Sequence, residues 1–511
     1  MGKIISKEEF RELIRPEIKK DDKTIALCHG VFDLVHPGHI VHFEQAKAMA
    51  DVLVVSITSE KYVRKGPGRP YFNDELRMKF LSAIDCIDYV MLSEGYTVDD
   101  IVECVEPDFY VKGQEYADES ADVTQNMRPE RELVEKHGGK VCYTGGPVFS
   151  STKLINRGMA GLSDEVIAYM EEFKKTYSMD DILAYADKAK NLKVLVLGDV
   201  IIDRYAYCDV QGLMSKDMAY SARLRKTEDY FGGAVAVARH ITGFCDDVTF
   251  RSVIGNEPGM LERFDADECK GIKFDLIQSQ SFPTIIKHRY ITPDQKRAEY
   301  TKVFVVNNIP QNPQIDEDSE GQLISKLNSD ISNYDAVFLC DFGHGLISDA
   351  VIDLVQDKAQ YLILNCQTNS SNLGMNNITK YSKANAFTLD QRELKLALPS
   401  LSKNEDAAFR EIRAVLKSEQ GWLTRGSAGA WGISKDVIDE CPAFTLSVSD
   451  TIGAGDAFYS VAGVFSAAGA PLPIGTVMGN IAGALGANIV GNKQSVQRAD
   501  VLKFASTLLN V

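Results

Sequence analysis

His29-Gly30-Val31-Phe32-Asp33-Leu34-Val35-His36-Pro37-Gly38-His39 follows a short apolar run, Thr24 to Cys28, and leads into a stretch with helical spacing. A strand, a glycine-bearing loop and a helix start in that order put His36 and His39 on one face of the first helical turn. Their ring N–H groups and the open amides of the helix N-terminus then converge on one point, which suits an anion. Gly30 and Gly38, with Val31 and Phe32 between them, let backbone approach a phosphate closely. A nucleoside triphosphate fits, because charge that grows on the α-phosphate during attack is stabilised by fixed donors. A pair of surface histidines beside a turn, or two zinc ligands lacking a nearby third, are the competing readings of these residues.

Working outward, short apolar runs alternate with helical patterns from Thr24 to about Arg157: TIALC, a helix from Gly38, VLVVSIT, a helix from Asp74, YVML, a helix from Val98, FYVKG and KVCYT. That alternation predicts a parallel sheet with crossover helices. A second start occurs at KVLVLGD, Lys193 to Asp199. Beyond it VTFRSVIG, TIIKHRYIT, KVFVVNN, AVFLCD, YLILN and GWLTRG read as strands, before an Ala/Gly-rich helical tail. Met159 to Asn191 is charged, with Ile167, Met170 and Phe173 at helical spacing, and reads as a helical connector. The expected organisation is therefore α/β throughout, as two doubly wound parallel-sheet domains: residues 1–158, a connector over 159–191, and residues 192–511. A chain of 511 residues is also longer than one core usually organises.

Fifty-six Lys and Arg against 72 Asp and Glu leave a net charge of −16. Such a balance disfavours general binding to nucleic acid or an anionic membrane, so anionic substrates need local sites. The ten cysteines are scattered, with no CxxC pair and no Cys/His cluster at metal spacing, as expected for reduced thiols in a cytoplasmic protein with no structural metal. The sequence shows no apolar signal core and no run of about 18 apolar residues, so a soluble, unexported protein is expected.

The second chemistry-bearing stretch is Asp450-Thr451-Ile452-Gly453-Ala454-Gly455-Asp456, ahead of the apolar helix AFYSVAGVFSAAG. Gly453, Ala454 and Gly455 let successive amides point at a transferring phosphoryl group, and Asp456 can take the proton of an attacking hydroxyl. A tight packing turn is the alternative for the glycines alone.

GVFDLVHPGHIVHFEQAK resembles the GxFDxxHxGH signature of the cytidylyltransferase-like nucleotidyltransferases, with Lys47 at the position of the family's helix lysine. Further matches follow in order. Gly68-Arg69-Pro70 with Arg77 is similar to a GRP…R segment, Val111 to Tyr116 to a VKGxxY strand end, and Phe149 to Lys153 to the ISTTKI motif. The resemblance implies that His36 and His39 hold the reacting phosphates and that Ser150, Ser151 and Thr152 hold the β- and γ-phosphates. It also implies that Lys47 and Lys112 neutralise the triphosphate or the incoming phosphate, although each also reads as a solvated lysine.

DTxGAGD resembles the signature of ribokinase-like (PfkB) carbohydrate kinases, and the likeness runs from Lys193 to the C-terminus. Gly198 to Tyr205 is similar to the family's first strand, which implies that Asp203 binds sugar hydroxyls. Phe231-Gly232-Gly233-Ala234 resembles the di-glycine motif under the lid, which implies substrate contact at Gly232 and Gly233. Asp341 to Gly345 resembles a DYGKG turn. Asp390 to Glu393 resembles the NxxE motif linked to Mg²⁺, and Thr424, Gly426 and Gly429 the nucleotide-binding TxGxxG turn. Phe231 and Trp431 read best as buried core. Departures gather at the sugar end: Ala236 replaces an Asn, His344 a Lys, Asp390 an Asn, and Asn365 to Asn369 a VDPK-like strand end.

Together the halves resemble the bifunctional heptose-phosphate kinase and heptose-1-phosphate nucleotidyltransferases of surface-polysaccharide synthesis, in which the kinase comes first. The expectation is a sugar-activating enzyme. One domain phosphorylates a sugar or sugar phosphate with ATP; the other transfers a nucleotidyl group from ATP or CTP to a sugar phosphate and releases pyrophosphate, with Mg²⁺ on each nucleotide. The resemblance also implies a homodimer through the kinase lid. Two other expectations stand beside it: a cytidylyltransferase for a polyol or other non-sugar phosphate with a kinase for an acyclic alcohol, and a transferase with a non-catalytic kinase-like sensor.

Overall fold

The computed structural model describes residues 2–63, 70–114, 127–145, 162–293, 300–309, 313–369, 372–435, 437–444, 453–489 and 493–510. They divide into two units, Met1–Ser163 with Leu502–Val511, and Asp164–Val501.

In the first unit, strands β1 (Lys3–Ile4), β2 (Ile25–Gly30), β3 (Val52–Thr58), β4 (Tyr89–Ser93), β5 (Phe109–Gly113) and β6 (Lys140–Thr144) form a parallel sheet in the order β1-β4-β3-β2-β5-β6. Its central strands are apolar without alternation because both faces are covered. Ile25 and Leu27 join one buried cluster, while Ala26 and Cys28 join the other. The chain runs from β2 outward to β3 and β4, then returns to the opposite side with β5. Strand order therefore reverses between β2 and β5, and the crevice beyond their carboxyl ends is where such sheets bind ligands. The two-residue β1 precedes the helical run Lys7 to Lys20.

The second unit has a nine-stranded sheet: β7 (Lys193–Gly198), β10 (Asp247–Gly255), β11 (Ile272–Ser279), β14 (Ala336–Asp341), β15 (Leu362–Cys366), β16 (Ala386–Asp390), β17 (Gln420–Thr424), β18 (Ala430–Ser434) and β19 (Val437–Cys441). The order is β11-β10-β7-β14-β15-β16-β17-β18-β19, with β18 and β19 antiparallel. Here the reversal lies between β7 and β14. A separate four-stranded lid sheet, β13-β12-β8-β9, comprises β8 (Val200–Leu213), β9 (Tyr220–Gly232), β12 (Ile285–Pro293) and β13 (Tyr300–Asn308). One residue, Asp199, links β7 of the central sheet to β8 of the lid.

Helices Asp164–Phe173 and Met179–Lys190 occupy the stretch read as a connector, yet they belong to the second unit. Val166, Met170 and Phe173 are buried, and the Tyr169 hydroxyl donates to Asp439, 3.0 Å from each carboxylate oxygen. Helical apolar spacing is the same for a linker and for a packed outer layer, so it could not distinguish them.

Candidate functional site

At the carboxyl edge of β2, helix Pro37–Ala48 begins with His36 as its N-cap. The His39 amide donates to His36 Nδ1 at 3.3 Å, the His36 amide donates to His39 Nδ1 at 3.4 Å, and the rings stack with centroids 3.8 Å apart. This reciprocal cap fixes both Nδ1 atoms toward backbone and leaves the Nε2 sides of the rings to define the site. Phe32, at φ 45°, packs edge-on against His39 and Phe43, which directs its ring into the fold and makes it a support for His39. Asp33 accepts from the amides of Tyr71 (2.7 Å) and Phe72 (3.1 Å) and so ties the HxGH loop to the segment before the next helix.

Arg77 is fully buried. It donates to the Val31 carbonyl at 2.7 Å and the Thr58 carbonyl at 3.0 Å and pairs with Asp74, which makes it the clamp that shapes the Gly30–Phe32 loop. Ser56 and Thr58 flank His29, and burial followed by the nearby Lys112 charge pushes that imidazole down to about 3. His42 meets the Thr144 hydroxyl at 2.6 Å and is lowered to about 4 for the same two reasons.

Of the two predicted lysines, Lys112 lies at this edge. It ends β5, pairs with Glu130 at 2.9 Å, and sits over the Tyr110 ring. Lys47 does not. It lies in the last turn of helix Pro37–Ala48, bonded to Asp88 at 2.7 Å and to the Asp51 carbonyl. Eight residues of helix separate it from His39, about 12 Å of rise, so it ties the amino edge of the sheet together, away from the histidine pair. Ser150, Ser151 and Thr152 lie outside the described residues.

In the second unit Gly453, at φ 83°, is the N-cap of helix Ala454–Ala467, whose first-turn amides lack intrahelical acceptors by construction. Asp456 is in that turn. Gln367 Nε2 donates to its Oδ1 at 3.0 Å and also to Asn365 Oδ1 at 2.9 Å. Burial raises the Asp456 carboxyl to about 6, partly offset by the Gln367 hydrogen bond. Asp203, on β8, accepts both Nε and Nη2 of Arg289 at 2.9 and 2.6 Å. A Cβ on Gly232 would overlap the other Asp203 oxygen, so glycine there is required for the carboxylate to stand where it does.

Lys287 is opposite Asp203 in the β12–β8 register, and burial lowers its ammonium while Asp203, Asp199 and Asp456 counteract. Neither Lys287 nor Arg289 was anticipated. Their spacing of two in a strand marks a shared face, but only the lid register reveals what that face meets.

Asp390 and Glu393 form a capping box for helix Gln391–Ala397, each carboxylate accepting the other's amide (2.7 and 2.8 Å). Glu393 also accepts from the Thr368 amide at 3.2 Å; burial, then Asp390, raises its carboxyl to about 8, with Asp456 adding to the effect. Glu393 with Asp390 beside it forms an oxygen-rich edge of the kind that suits a hard cation such as Mg²⁺. Thr424 pairs with Asp390 across β16 and β17. The Gly426–Ala428 turn follows, and Gly429, at φ 88°, packs against the Cys441–Ala443 backbone.

All ten cysteines are free. Among the described residues no group of three His, Cys, Asp or Glu could hold a metal, and no helix is long and apolar enough to cross a membrane.

Residues 27–157 match the family described as Cytidylyltransferase-like, and residues 191–488 match the pfkB family of carbohydrate kinases. The chain is 33% identical over 142 residues to bifunctional protein HldE of Syntrophotalea carbinolica, covering 27% of each chain. It is 32% identical over 169 residues to bifunctional protein HldE of Trichlorobacter lovleyi, covering 32% of each. The chain thus spans less than a third of the length of these curated relatives. Escherichia coli phosphofructokinase-2 in complex with potassium shares the fold, with a TM-score of 0.50 at 16% identity over 62% of this chain and 99% of that one. With a match that runs over more than half its length, the chain belongs to the pfkB family of carbohydrate kinases and carries a cytidylyltransferase-like domain ahead of the kinase domain.

Proposed function

We propose that the chain is a bifunctional sugar-activating enzyme of the cytoplasm, working on small sugars or sugar phosphates and nucleoside triphosphates. The observation that carries the kinase half is Asp456 in the first turn of an open helix N-terminus, beside Asp203. The acceptor hydroxyl, held by Asp203 near Gly232 and Gly233, gives its proton to Asp456 as its oxygen attacks the γ-phosphorus of ATP, and ADP leaves. The amides of Ala454, Gly455 and Asp456 receive the transferring phosphoryl group. Thr424, Gly426 and Gly429 line the nucleotide. Mg²⁺ on the triphosphate would meet Glu393, with Asp390 fixing that carboxylate; when bound, the ion supplies charge neutralisation.

At the other site a phosphate oxygen of the sugar phosphate attacks the α-phosphorus of ATP or CTP, and pyrophosphate leaves. The nucleophile is already ionised, so positioning and charge suffice. His36 and His39 donate to the reacting phosphates, Lys112 neutralises them, and the Gly30–Phe32 and Gly38 backbone, with Ser150, Ser151 and Thr152, cradles the triphosphate. Similarity to the HldE proteins over part of their length supports two consecutive steps on one sugar.

The test is pyrophosphate release with ATP or CTP across sugar 1-phosphates, run beside a kinase assay on the free and phosphorylated sugars. Turnover of both kinds on one sugar is expected. Pyrophosphate release with no kinase turnover on any sugar or acyclic alcohol would refute the kinase assignment. Size-exclusion chromatography with light scattering tests the accompanying proposal of a homodimer through the lid.

A further inference from the structure

The turn after β14, Phe342-Gly343-His344-Gly345, brings a histidine to the reversal point between β7 and β14. His344 is 1% exposed, and among the described residues neither ring nitrogen has a hydrogen-bond partner. Asp199 stands at the end of the neighbouring strand, in register just beyond the Gly198–Cys340 pair. It is 3% exposed and faces the backbone of Phe342 and His344, and its Oδ2 is likewise without a partner among the described residues. Three buried polar atoms left open at one strand edge call for a ligand, since such groups are otherwise hydrogen-bonded. Nearby charges are already engaged: Arg289 with Asp203, and Lys380 with Asp341 at 2.6 Å.

We propose, resting on the kinase reading above, that His344 and Asp199 contact acceptor hydroxyls away from the one phosphorylated, making His344 the residue that sets acceptor specificity.

The chemistry favours a hydroxyl over a phosphate. Burial, and then the Lys287 charge, hold the His344 imidazole neutral, with one nitrogen donating and the other accepting. A hydroxyl can serve either. A phosphate offers only acceptors, and would add negative charge beside Asp199, Asp203, Asp341 and Asp456. Asp199 Oδ2 accepts a hydroxyl proton in turn. The family pattern has lysine at position 344, so exchange for imidazole converts a point charge into a paired donor and acceptor.

The experiment uses the full chain with His344→Leu, which removes both groups, and His344→Gln, which keeps a donor and an acceptor. Kinase kinetics are measured on pentoses, hexoses and heptoses, free and phosphorylated, and on their monodeoxy analogues. For an acceptor used by the wild type, His344→Leu should raise KM roughly tenfold with a smaller change in kcat and an unchanged KM for ATP. It should also erase discrimination against one monodeoxy analogue, and His344→Gln should restore part of it. Equal kinetics for all three proteins overturn the proposal; so does a loss confined to kcat with a lowered melting temperature, which marks a structural role. If the wild type phosphorylates none of them, nor any acyclic alcohol, the kinase reading fails. His344 is then read directly, by the imidazole ¹⁵N resonance absent from His344→Gln. A shift of that resonance on adding the same sugars supports the contact, and a resonance unmoved by all of them refutes it.

Discussion

Leucine in place of Gln367 removes the hydrogen bond that favours the ionised form of Asp456 while keeping the side chain's bulk. With its carboxyl at about 6, Asp456 is about 90% ionised at pH 7 and about 10% at pH 5, so the wild-type kinase rate should rise with pH through that midpoint. A hydrogen bond to a charged group contributes about 1.5–3 kcal/mol, and 1.36 kcal/mol is one pKa unit. Gln367→Leu should therefore move the acid limb of kcat/KM upward by roughly one unit or more. At pH 7 the variant is then about half protonated or more, so at least about twofold slow, and near pH 8.5 it recovers most of the wild-type rate. The sign follows from the base having to be deprotonated. Asn365 Oδ1 also loses a donor, at a cost of about 1 kcal/mol in stability that thermal unfolding would register separately. A limb that stays in place, or a loss that high pH does not relieve, would refute the assignment of Asp456 as the base held by Gln367.

Lys47→Met should leave pyrophosphate release within about threefold of wild type, while His39→Ala lowers it by about 10²-fold or more, as steady-state kinetics on both variants can check. Arg77→Met strips donors from two carbonyls and from Asp74; it should destabilise the first unit by about 3 kcal/mol and lower its thermal transition, with kinase turnover retained. Gly232→Ala forces the Asp203 carboxylate aside, and a displacement near 1 Å should cost about 10²-fold in kinase kcat/KM without altering pyrophosphate release.

Much of this architecture is legible in residue order. Each apolar run read as a strand between Thr24 and Thr144 is one, because strands covered on both faces leave a continuous signal. The histidine pair and the Gly453–Asp456 turn are also visible, since helix starts gather their own small and polar residues. Lys47 reads either way in the sequence, as phosphate ligand or solvated lysine, because a motif fixes its position along a helix while helix length carries it to the opposite edge of the sheet. Asp390 and Glu393 carry two meanings, as D-x-x-E is both a cation motif and a capping box. The groups set beside Asp203, Lys287 and Arg289, come from a lid strand whose partner lies more than 80 residues earlier, and no local pattern records that pairing.

Asp199 is the single residue between β7 and β8. It is therefore one of the junctions through which the chain enters the lid, the Gly232–Gly233 step being another, as well as the acid proposed to face the acceptor. A lid that swings must twist the backbone at this position, and the twist carries the carboxylate with it. Any movement of the lid relative to the central sheet is thus tied to the placement of the proposed acceptor contact. A substitution selected for a new acceptor at Asp199 will also alter how fast the lid shuts, and a lid grafted from a relative will bring altered selectivity unless the donor's junction comes too. Preference and turnover in this enzyme should drift together under selection.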